Sequence, residues 1–161
     1  MKQYEDQLSE QLSQYLHESD AAEYVSLPKK INYAQLFQNK LLLVFAIRNG
    51  LPYAVFELIQ LHSPFSLHDW ADLLNISYKS IQRYKAQQAR FKPTQSEKIF
   101  EVAEVLESGT EVFGDVDKLK LWLDTPSYAL GNMKPVELMH DSYGKELVMA
   151  EITRIDHGIF A

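Results

Sequence analysis

The sequence predicts an all-α protein, and three observations support this prediction. Every long segment carries its apolar residues at intervals of three and four, which is the period of an amphipathic helix. Residues that commonly cap helices, such as Ser66, Ser77 and Gly50, stand at the edges of these segments. The chain has 161 residues, 46% of them hydrophobic and none of them Cys. It can therefore bury a core without disulfides or thiolate metal sites.

The first 49 residues are predicted to be a helical extension. A helix is expected over residues 2–17, with one apolar side. That side consists of Tyr4, Leu8, Leu12, Tyr15 and Leu16. Residues 18–30 contain a Ser-Asp pair, a Leu-Pro pair and two lysines, which is typical of a linker. Because a linker would detach the first helix, its apolar side must pack against either the body of the protein or a second chain.

A second helix is expected over residues 33–49, closed by Gly50. The run LLLVFAI at residues 41–47 can instead be a buried strand, because seven apolar residues do not reveal a period. A third helix is expected from Pro52 to Leu61, since proline suits the first turn of a helix.

Three further helices are expected before residue 107, each beginning at a residue that can cap it. Ser66 begins a helix that stops at Asn75, Ser77 begins one through about Gln88, and Thr94 begins one through about Leu106. After these, a helix is expected over residues 115–123, with Val116, Leu119 and Trp122 buried. An irregular segment, YALGNMKP, then precedes a final helix over residues 141–157.

The helices that begin at Ser66 and Ser77 have the features of a helix-turn-helix. Ala71 places a small side chain where the second helix must cross the first. Asn75 occupies the turn position that needs a left-handed backbone, which Asn tolerates better than most residues. Ile76 and Ile81 are expected to anchor the second helix. This geometry presents the second helix to a DNA major groove, although a helical hairpin that serves only as scaffold has the same features.

The charge distribution favours DNA as the partner of this second helix. The chain has a formal charge of −6, yet residues 77–98 hold six Lys or Arg residues and one Glu, for a local charge of +5. A basic island in an acidic protein can contact phosphate locally. The expected base-reading residues are Tyr78, Lys79, Ser80, Gln82 and Arg83. The expected phosphate contacts are Lys85, Arg90 and Lys92. The alternative is a basic face that contacts only solvent.

Two glycines in the C-terminal part are expected to have structural roles. Gly131 is expected to supply a turn conformation that a side chain would forbid. Gly144, in the first turn of the last helix, predicts a close backbone approach, because glycine otherwise costs up to about 1 kcal/mol there. Val148, Ile152 and Ile155 are expected to face inward.

The C-terminal segment also carries an ordered series of motifs. They are Trp122-Leu123 followed by Pro126, Ala129-Leu130-Gly131, Pro135, Leu138, Gly144, Val148, and Arg154-Ile155 with His157-Gly158. This series resembles the toxin-binding domain of Xre/MbcA/ParS-type antitoxins. Residues 50–114, with NISYKSIQRYKAQ and VFGD, resemble the Xre-like helix-turn-helix domain of the same family. The resemblance covers about two thirds of the chain and leaves residues 1–49 outside it.

The resemblance implies the antitoxin of a bacterial type II toxin–antitoxin pair whose toxin has a RES fold and consumes NAD. Such antitoxins bind the toxin through the C-terminal domain, here residues 115–161. They usually repress their own operon through the helix-turn-helix domain, here residues 50–114. A homodimer within a larger toxin–antitoxin complex is expected. The implied toxin-binding residues are Gly131, Asn132, Lys134, Arg154, His157, Gly158, Ile159 and Phe160.

Arg154 has two interpretations. Beside Phe160 at the end of the chain, it has the composition of an interface anchor that can enter a pocket of the toxin. From the residues alone, it can equally pair with Glu151 or Asp156 on the surface of its own helix. The resemblance favours the first interpretation.

Other functions are not indicated. The five histidines lack metal-ligand spacing, and no glycine-rich phosphate loop is present. We therefore expect no metal, no cofactor and no enzymatic activity. Glu101, Glu104 and Glu107 are interpreted as a solvated helix face. The longest apolar run is far shorter than the roughly 20 residues that span a membrane, so a cytoplasmic location is expected.

Two other functions stay open at this point. One is a transcriptional regulator that has the helix-turn-helix but no toxin partner. The other is a protein-interaction module that binds no DNA.

Overall fold

The structure, a computed structural model, describes residues 2–158. Within that range the regular structure is helical, and the only β pairings are isolated bridges. This confirms the all-α prediction. The helices are α1 (Lys2–His17), α2 (Ala21–Tyr24), α3 (Tyr33–Gln38), α4 (Lys40–Asn49), α5 (Tyr53–Leu61), α6 (Leu67–Leu73), α7 (Tyr78–Gln87), α8 (Pro93–Phe113), α9 (Val116–Leu123), α10 (Pro135–Leu138) and α11 (Ser142–Asp156), with a 3₁₀ turn at Tyr128–Leu130.

The N-terminal helix α1 packs against the body of the same chain. Leu8, Leu12 and Leu16 are buried in the core that the other helices share. Two buried serines of α1 also hold the segment that returns to the body. The Ser9 hydroxyl donates to the Ile31 carbonyl at 2.8 Å, and the Ile31 N–H donates to Ser13 Oγ at 2.8 Å. The prediction that residues 18–30 detach α1 is therefore wrong. They contain α2 and lead directly into this buried attachment.

The predicted helix over residues 33–49 is two helices, α3 and α4. The break occurs at Asn39, whose side chain accepts a hydrogen bond from the Leu42 N–H at 3.1 Å and so caps α4. An asparagine inside a helix competes with the backbone in this way, which explains the break. The run at residues 41–47 is helical, so the strand alternative is excluded.

Helix α8 is longer than predicted and lies at the centre of the fold, where it packs against α4, α9 and α11. It begins at Pro93, with Lys92 as the preceding cap residue, so the prediction that Thr94 caps it is wrong. It continues to Phe113 rather than ending near Leu106. The extra turns are stabilised because Gly109 lets the side chain of Leu119 pack directly on the helix.

Glu101, Glu104 and Glu107 of α8 are half-buried, so the prediction that they form a solvated face is wrong. Glu101 pairs with Lys98 at 2.5 Å and accepts a hydrogen bond from Ser142 of α11 at 2.8 Å. Glu104 pairs with Lys145, also on α11. These carboxylates therefore join the central helix to the last one.

The predicted close approach at Gly144 is confirmed. A Cβ at this position would lie 2.0 Å from the Leu138 carbonyl oxygen, so only glycine fits between α10 and α11. Val148 and Ile152 are buried as predicted, whereas Ile155 is half-buried. In α9, Leu119 is buried, while Val116 and Trp122 are only half-buried and Leu123 takes the remaining inward position.

Candidate DNA-binding and partner-binding surfaces

Helices α6 and α7 form the helix-turn-helix that the sequence predicts. Ser66 caps α6 by accepting a hydrogen bond from the Asp69 N–H, and the Asp69 carboxylate accepts one from the Ser66 N–H in return. Asn75 has the left-handed backbone expected of it, with a φ of 52°. Trp70 and Ile81 are fully buried and hold the two helices together. The outer face of α7 is therefore fixed in orientation relative to the body.

The residues predicted to read bases differ in their surroundings. Lys79, Gln82 and Arg83 are exposed and, with Ser77 and Ser80, line a shallow depression on α7. Ser80 is half-buried, and its hydroxyl lies 2.9 Å from that of Ser77. Tyr78 is half-buried and stacks on His68 of α6, with ring centroids 4.0 Å apart. Lys79, Gln82 and Arg83 are thus the side chains best able to reach a base edge.

The residues predicted to contact phosphate are also exposed, but two of them have partners within the chain. Lys85 pairs with Glu57 of α5 at 3.3 Å. Arg90 lies over the ring of Tyr15, with 5.3 Å between its guanidinium carbon and the ring centroid. Lys92 is exposed at the start of α8.

One basic residue of the segment 77–98, Lys98, points away from this surface. The side chain of Lys98 is only 15% exposed, and its ammonium donates to the Met139 carbonyl at 3.2 Å. The charge available to a phosphate backbone is therefore carried by the exposed residues between Ser77 and Lys92.

On the C-terminal part, the predicted residues Gly131, Asn132 and Lys134 lie together in one exposed loop. Gly131 and Asn132 have φ values of 68° and 66°, so the loop turns through two successive left-handed residues. The turn is closed by the Asn132 N–H, which donates to the Ser127 carbonyl at 2.8 Å. The loop is therefore well defined and presents its side chains to solvent.

The last turn of α11 holds the other predicted residues that the structure describes. Arg154 pairs with Glu151 at 2.8 Å, which is the intrahelical alternative that the sequence left open. His157 Nδ1 donates to the Thr153 carbonyl at 2.8 Å, and Gly158 follows with a φ of 67° in the left-handed conformation. Ile159 and Phe160 lie outside the described residues.

Sequence reasoning missed an exposed apolar side of α11. Tyr143 is 83% exposed and Leu147 is 54% exposed, although both lie within the same helix as the buried Val148 and Ile152. With Ala150 and Arg154 they stand at offsets of four, seven and eleven residues, which places all four along one side. Tyr128, 89% exposed, lies on the 3₁₀ turn that packs against α11. The sequence did contain a signal for it: Tyr143, Leu147 and Ala150 form a second series at helical spacing in α11, separate from the inward-facing Val148 and Ile152.

Neither a metal centre nor a membrane span is found in the described range. No group of three or more His, Asp or Glu side chains within residues 2–158 is arranged to hold a metal ion. No helix in this range is both long and apolar enough to cross a bilayer.

Comparisons with known proteins agree with this organisation. A family described as the antitoxin Xre-like helix-turn-helix domain matches residues 43–104. A second, described as the antitoxin Xre/MbcA/ParS C-terminal toxin-binding domain, matches residues 108–158. The two matches lie in the same order as the helix-turn-helix and the exposed side of α11.

Two relatives are similar in sequence over most of this chain, and one solved structure has a similar fold. The chain is 30% identical over 114 residues to an Antitoxin Xre of Photorhabdus laumondii, covering 70% of this chain and 77% of that one. It is 29% identical over 120 residues to an Antitoxin Xre of Yersinia enterocolitica, covering 74% and 81%. It also resembles a chain in the crystal structure of the M. tuberculosis MbcT–MbcA toxin–antitoxin complex, with a TM-score of 0.55 and 22% identity over 66% of this chain and 94% of that one. At this identity the structural likeness concerns the fold alone.

Proposed function

We propose that this chain, which belongs to the Xre family of antitoxins, neutralises a RES-type toxin by direct binding and represses its own operon. The observation that carries the proposal is the match of a helix-turn-helix domain and a toxin-binding domain in series over residues 43–158. In this proposal the toxin degrades NAD, and the antitoxin is a cytoplasmic protein that acts by binding rather than by catalysis.

For the toxin we propose the exposed apolar side of α11 together with the exposed loop at residues 131–134. Tyr and Leu side chains in an exposed patch are typical of protein interfaces, and aromatic residues with Arg provide much of the binding energy there. Tyr143 and Leu147 supply the apolar contact, and Arg154 stands at the end of the same side. In this proposal the loop residues Gly131, Asn132 and Lys134 also contact the toxin, as do the residues His157, Gly158, Ile159 and Phe160.

The pairing of Arg154 with Glu151 is compatible with this role. The Arg154 side chain is 37% exposed, and it contacts Glu151, whose side chain is 13% exposed, through Nη1. A guanidinium has five N–H donors, so Arg154 can keep Glu151 as a partner while its remaining donors enter a polar pocket of the toxin.

For DNA we propose that α7 enters the major groove of an operator near the promoter of the same operon. Arg83 and Lys79 can donate to guanine edges and Gln82 to adenine, whereas Lys85, Arg90 and Lys92 contact phosphates. Tyr78 and Ser80 complete the contact at the start of α7. As a homodimer, the protein would present two copies of α7 to a pseudo-palindromic site, about one helical turn of DNA apart.

The toxin arm of the proposal is tested by co-expressing the chain with the product of the adjacent gene and measuring NAD consumption. Leu147→Glu places a charge in the proposed interface and should abolish neutralisation. Leu61→Glu is the matched control, because Leu61 is 64% exposed on α5 and lies within the other matched region. Arg154→Ala should weaken toxin binding by several kcal/mol, as is typical of interface arginines. Full neutralisation by both the Leu147 and Arg154 variants would place the toxin on another surface.

Two outcomes would favour other functions. Operator binding without any effect of the adjacent gene product would indicate a regulator that lacks a toxin partner. Neutralisation without mobility shift of the upstream DNA would indicate a protein-interaction module.

A further inference from the structure

The N-terminal helix α1 reaches a residue of the proposed DNA-binding surface. The ring of Tyr15 lies beneath the guanidinium of Arg90, which follows α7 by three residues. Neither family match includes Tyr15, since the first begins at residue 43. The contact therefore joins a segment outside both matches to the helix-turn-helix domain.

Tyr15 is held rigidly. Its side chain is 3% exposed, and its hydroxyl donates to the Ala46 carbonyl of α4 at 2.6 Å. Burial raises the pKa of Tyr15 above its usual value, so the hydroxyl remains a donor at every physiological pH. With Leu12 and Leu16 buried on the same helix, the ring has one position relative to the body.

The backbone of Arg90 is held just as firmly. The residues on both sides of Arg90 pair with the chain at the start of α5: the Tyr53 N–H donates to the Ala89 carbonyl at 3.1 Å, and the Phe91 N–H donates to the Leu51 carbonyl at 2.9 Å. Gly50 permits this approach, because a Cβ there would lie 2.4 Å from the Phe91 carbonyl oxygen. The backbone of Arg90 is therefore fixed, and only its side chain can change orientation.

Tyr15 limits the orientations of the Arg90 side chain without occupying its N–H donors. A cation over an aromatic face is attracted to the π-electrons, so the N–H groups at the edge of the guanidinium stay available. Among the described residues, none of the ion pairs involves Arg90, and its side chain is exposed. An ordered arginine loses less conformational freedom when it binds a phosphate than an unordered one does.

We propose that Tyr15 is a positioning residue for DNA binding, which orients Arg90 toward the phosphate backbone of the operator. The proposal rests on the proposed DNA-binding function and assigns to the N-terminal helix a part in it. Since a cation–π contact at an exposed site is modest, loss of the ring should weaken operator binding about two- to fivefold.

The test measures mobility shift of full-length protein on a duplex containing the region upstream of its own gene. Four variants are compared: Tyr15→Phe, Tyr15→Leu, Arg90→Ala and the double variant Tyr15→Leu/Arg90→Ala. Tyr15→Phe keeps the ring and loses the hydrogen bond to Ala46, so it should melt at a lower temperature yet bind the duplex as the unchanged chain does. Tyr15→Leu should bind about two- to fivefold more weakly. It should cause no further loss in the Arg90→Ala background, because the two residues act as one unit.

A purely structural role for Tyr15 predicts the opposite pattern. Equal weakening by Tyr15→Leu in both backgrounds, or no weakening in either, would overturn the proposal. If Tyr15→Leu fails to fold, as circular dichroism would reveal, Tyr15→Met provides a second variant without a ring. The ring-current shift of the Arg90 side-chain protons, lost in Tyr15→Met and kept in Tyr15→Phe, then tests the contact directly. Absence of duplex binding by the unchanged chain would overturn the DNA-binding function as well, and is distinguishable from failure of the variants alone.

Discussion

Helices α7 and α11 both present an exposed side, but the two sides differ in chemistry. On α7 the exposed residues are polar and cationic, with Lys79, Gln82 and Arg83 standing free of intramolecular ion pairs within the described part of the chain. On α11 the exposed side is apolar at Tyr143 and Leu147. A cationic side is suited to a polyanion, and an apolar side is suited to another protein.

The two helices are connected through α8, which explains how one small chain can carry two different surfaces. Helix α11 packs along α8, and α8 follows α7 after a short turn. Both surfaces rest on α8. A substitution that affects only one of them must therefore be made at a residue that does not face α8.

The largest expected effect on one surface alone is that of Arg83→Glu. Replacing a base-reading donor with an acceptor of opposite charge should lower operator affinity about 100-fold. Toxin neutralisation should be unchanged, because Arg83 is exposed on α7. Mobility shift and the NAD assay measure the two activities, with the exposed Arg48→Glu as the charge-matched control. Operator affinity that survives Arg83→Glu would show that α7 is not the reading helix.

A large effect on stability is expected at Gly144, where α11 packs against α10. Gly144→Ala should destabilise the protein by about 1–3 kcal/mol, because the added Cβ collides with the Leu138 backbone. Gly114→Ala serves as the control, since its Cβ would meet nothing within 4 Å although its φ of 87° disfavours a side chain. Urea unfolding of both variants provides the comparison. A smaller loss for Gly144→Ala than for Gly114→Ala would contradict the packing of α10 against α11.

A pH dependence of stability is expected from Glu107 on α8, the helix that both surfaces share. Burial, followed by the charges of Glu111 and Glu5, raises the pKa of Glu107 on α8 above its usual value of 4.5. The folded state therefore holds this proton more tightly than the unfolded state, and the stability so contributed is lost as the pH rises through the raised pKa. Glu107→Gln should raise the melting temperature at pH 7.5, and the gain should disappear below about pH 4.5. Thermal melts across this range measure it, and an equal gain at every pH would exclude the ionisation as the cause.

The smallest effect is expected at Lys92. Lys92→Ala should weaken binding to all duplexes alike and reduce the slope of log affinity against log salt by about 0.9, the value for one phosphate contact on B-DNA. Lys118→Ala, which removes an exposed lysine of α9, should leave the slope unchanged. An effect of Lys92→Ala on sequence preference would instead make it a base contact.

The helix-turn-helix could be predicted from the sequence because its signals are local. Ser66 bonds to Asp69, and Ser77 to Ser80, at a separation of three residues, and Asn75 needs only its own backbone conformation. Such interactions depend on neighbours in the chain, so residue types and spacing were sufficient. The close approach at Gly144 and the turn at Gly131 were predictable for the same reason, since glycine at these positions has a direct conformational meaning.

The contacts between distant segments were decided by the tertiary structure. Lys98 counted as part of the basic island, yet it binds the Met139 carbonyl 41 positions away. Glu101 and Glu104 of α8 had the spacing of a solvated face, and only the position of α11 gave Glu104 its ion pair with Lys145 and Glu101 its hydrogen bond from Ser142. Tyr15 looked like one apolar residue among five, and its contact with Arg90 arises because α1 docks on the body. Spacing determines which residues share one side of a helix, whereas what covers that side depends on long-range packing that no local pattern encodes.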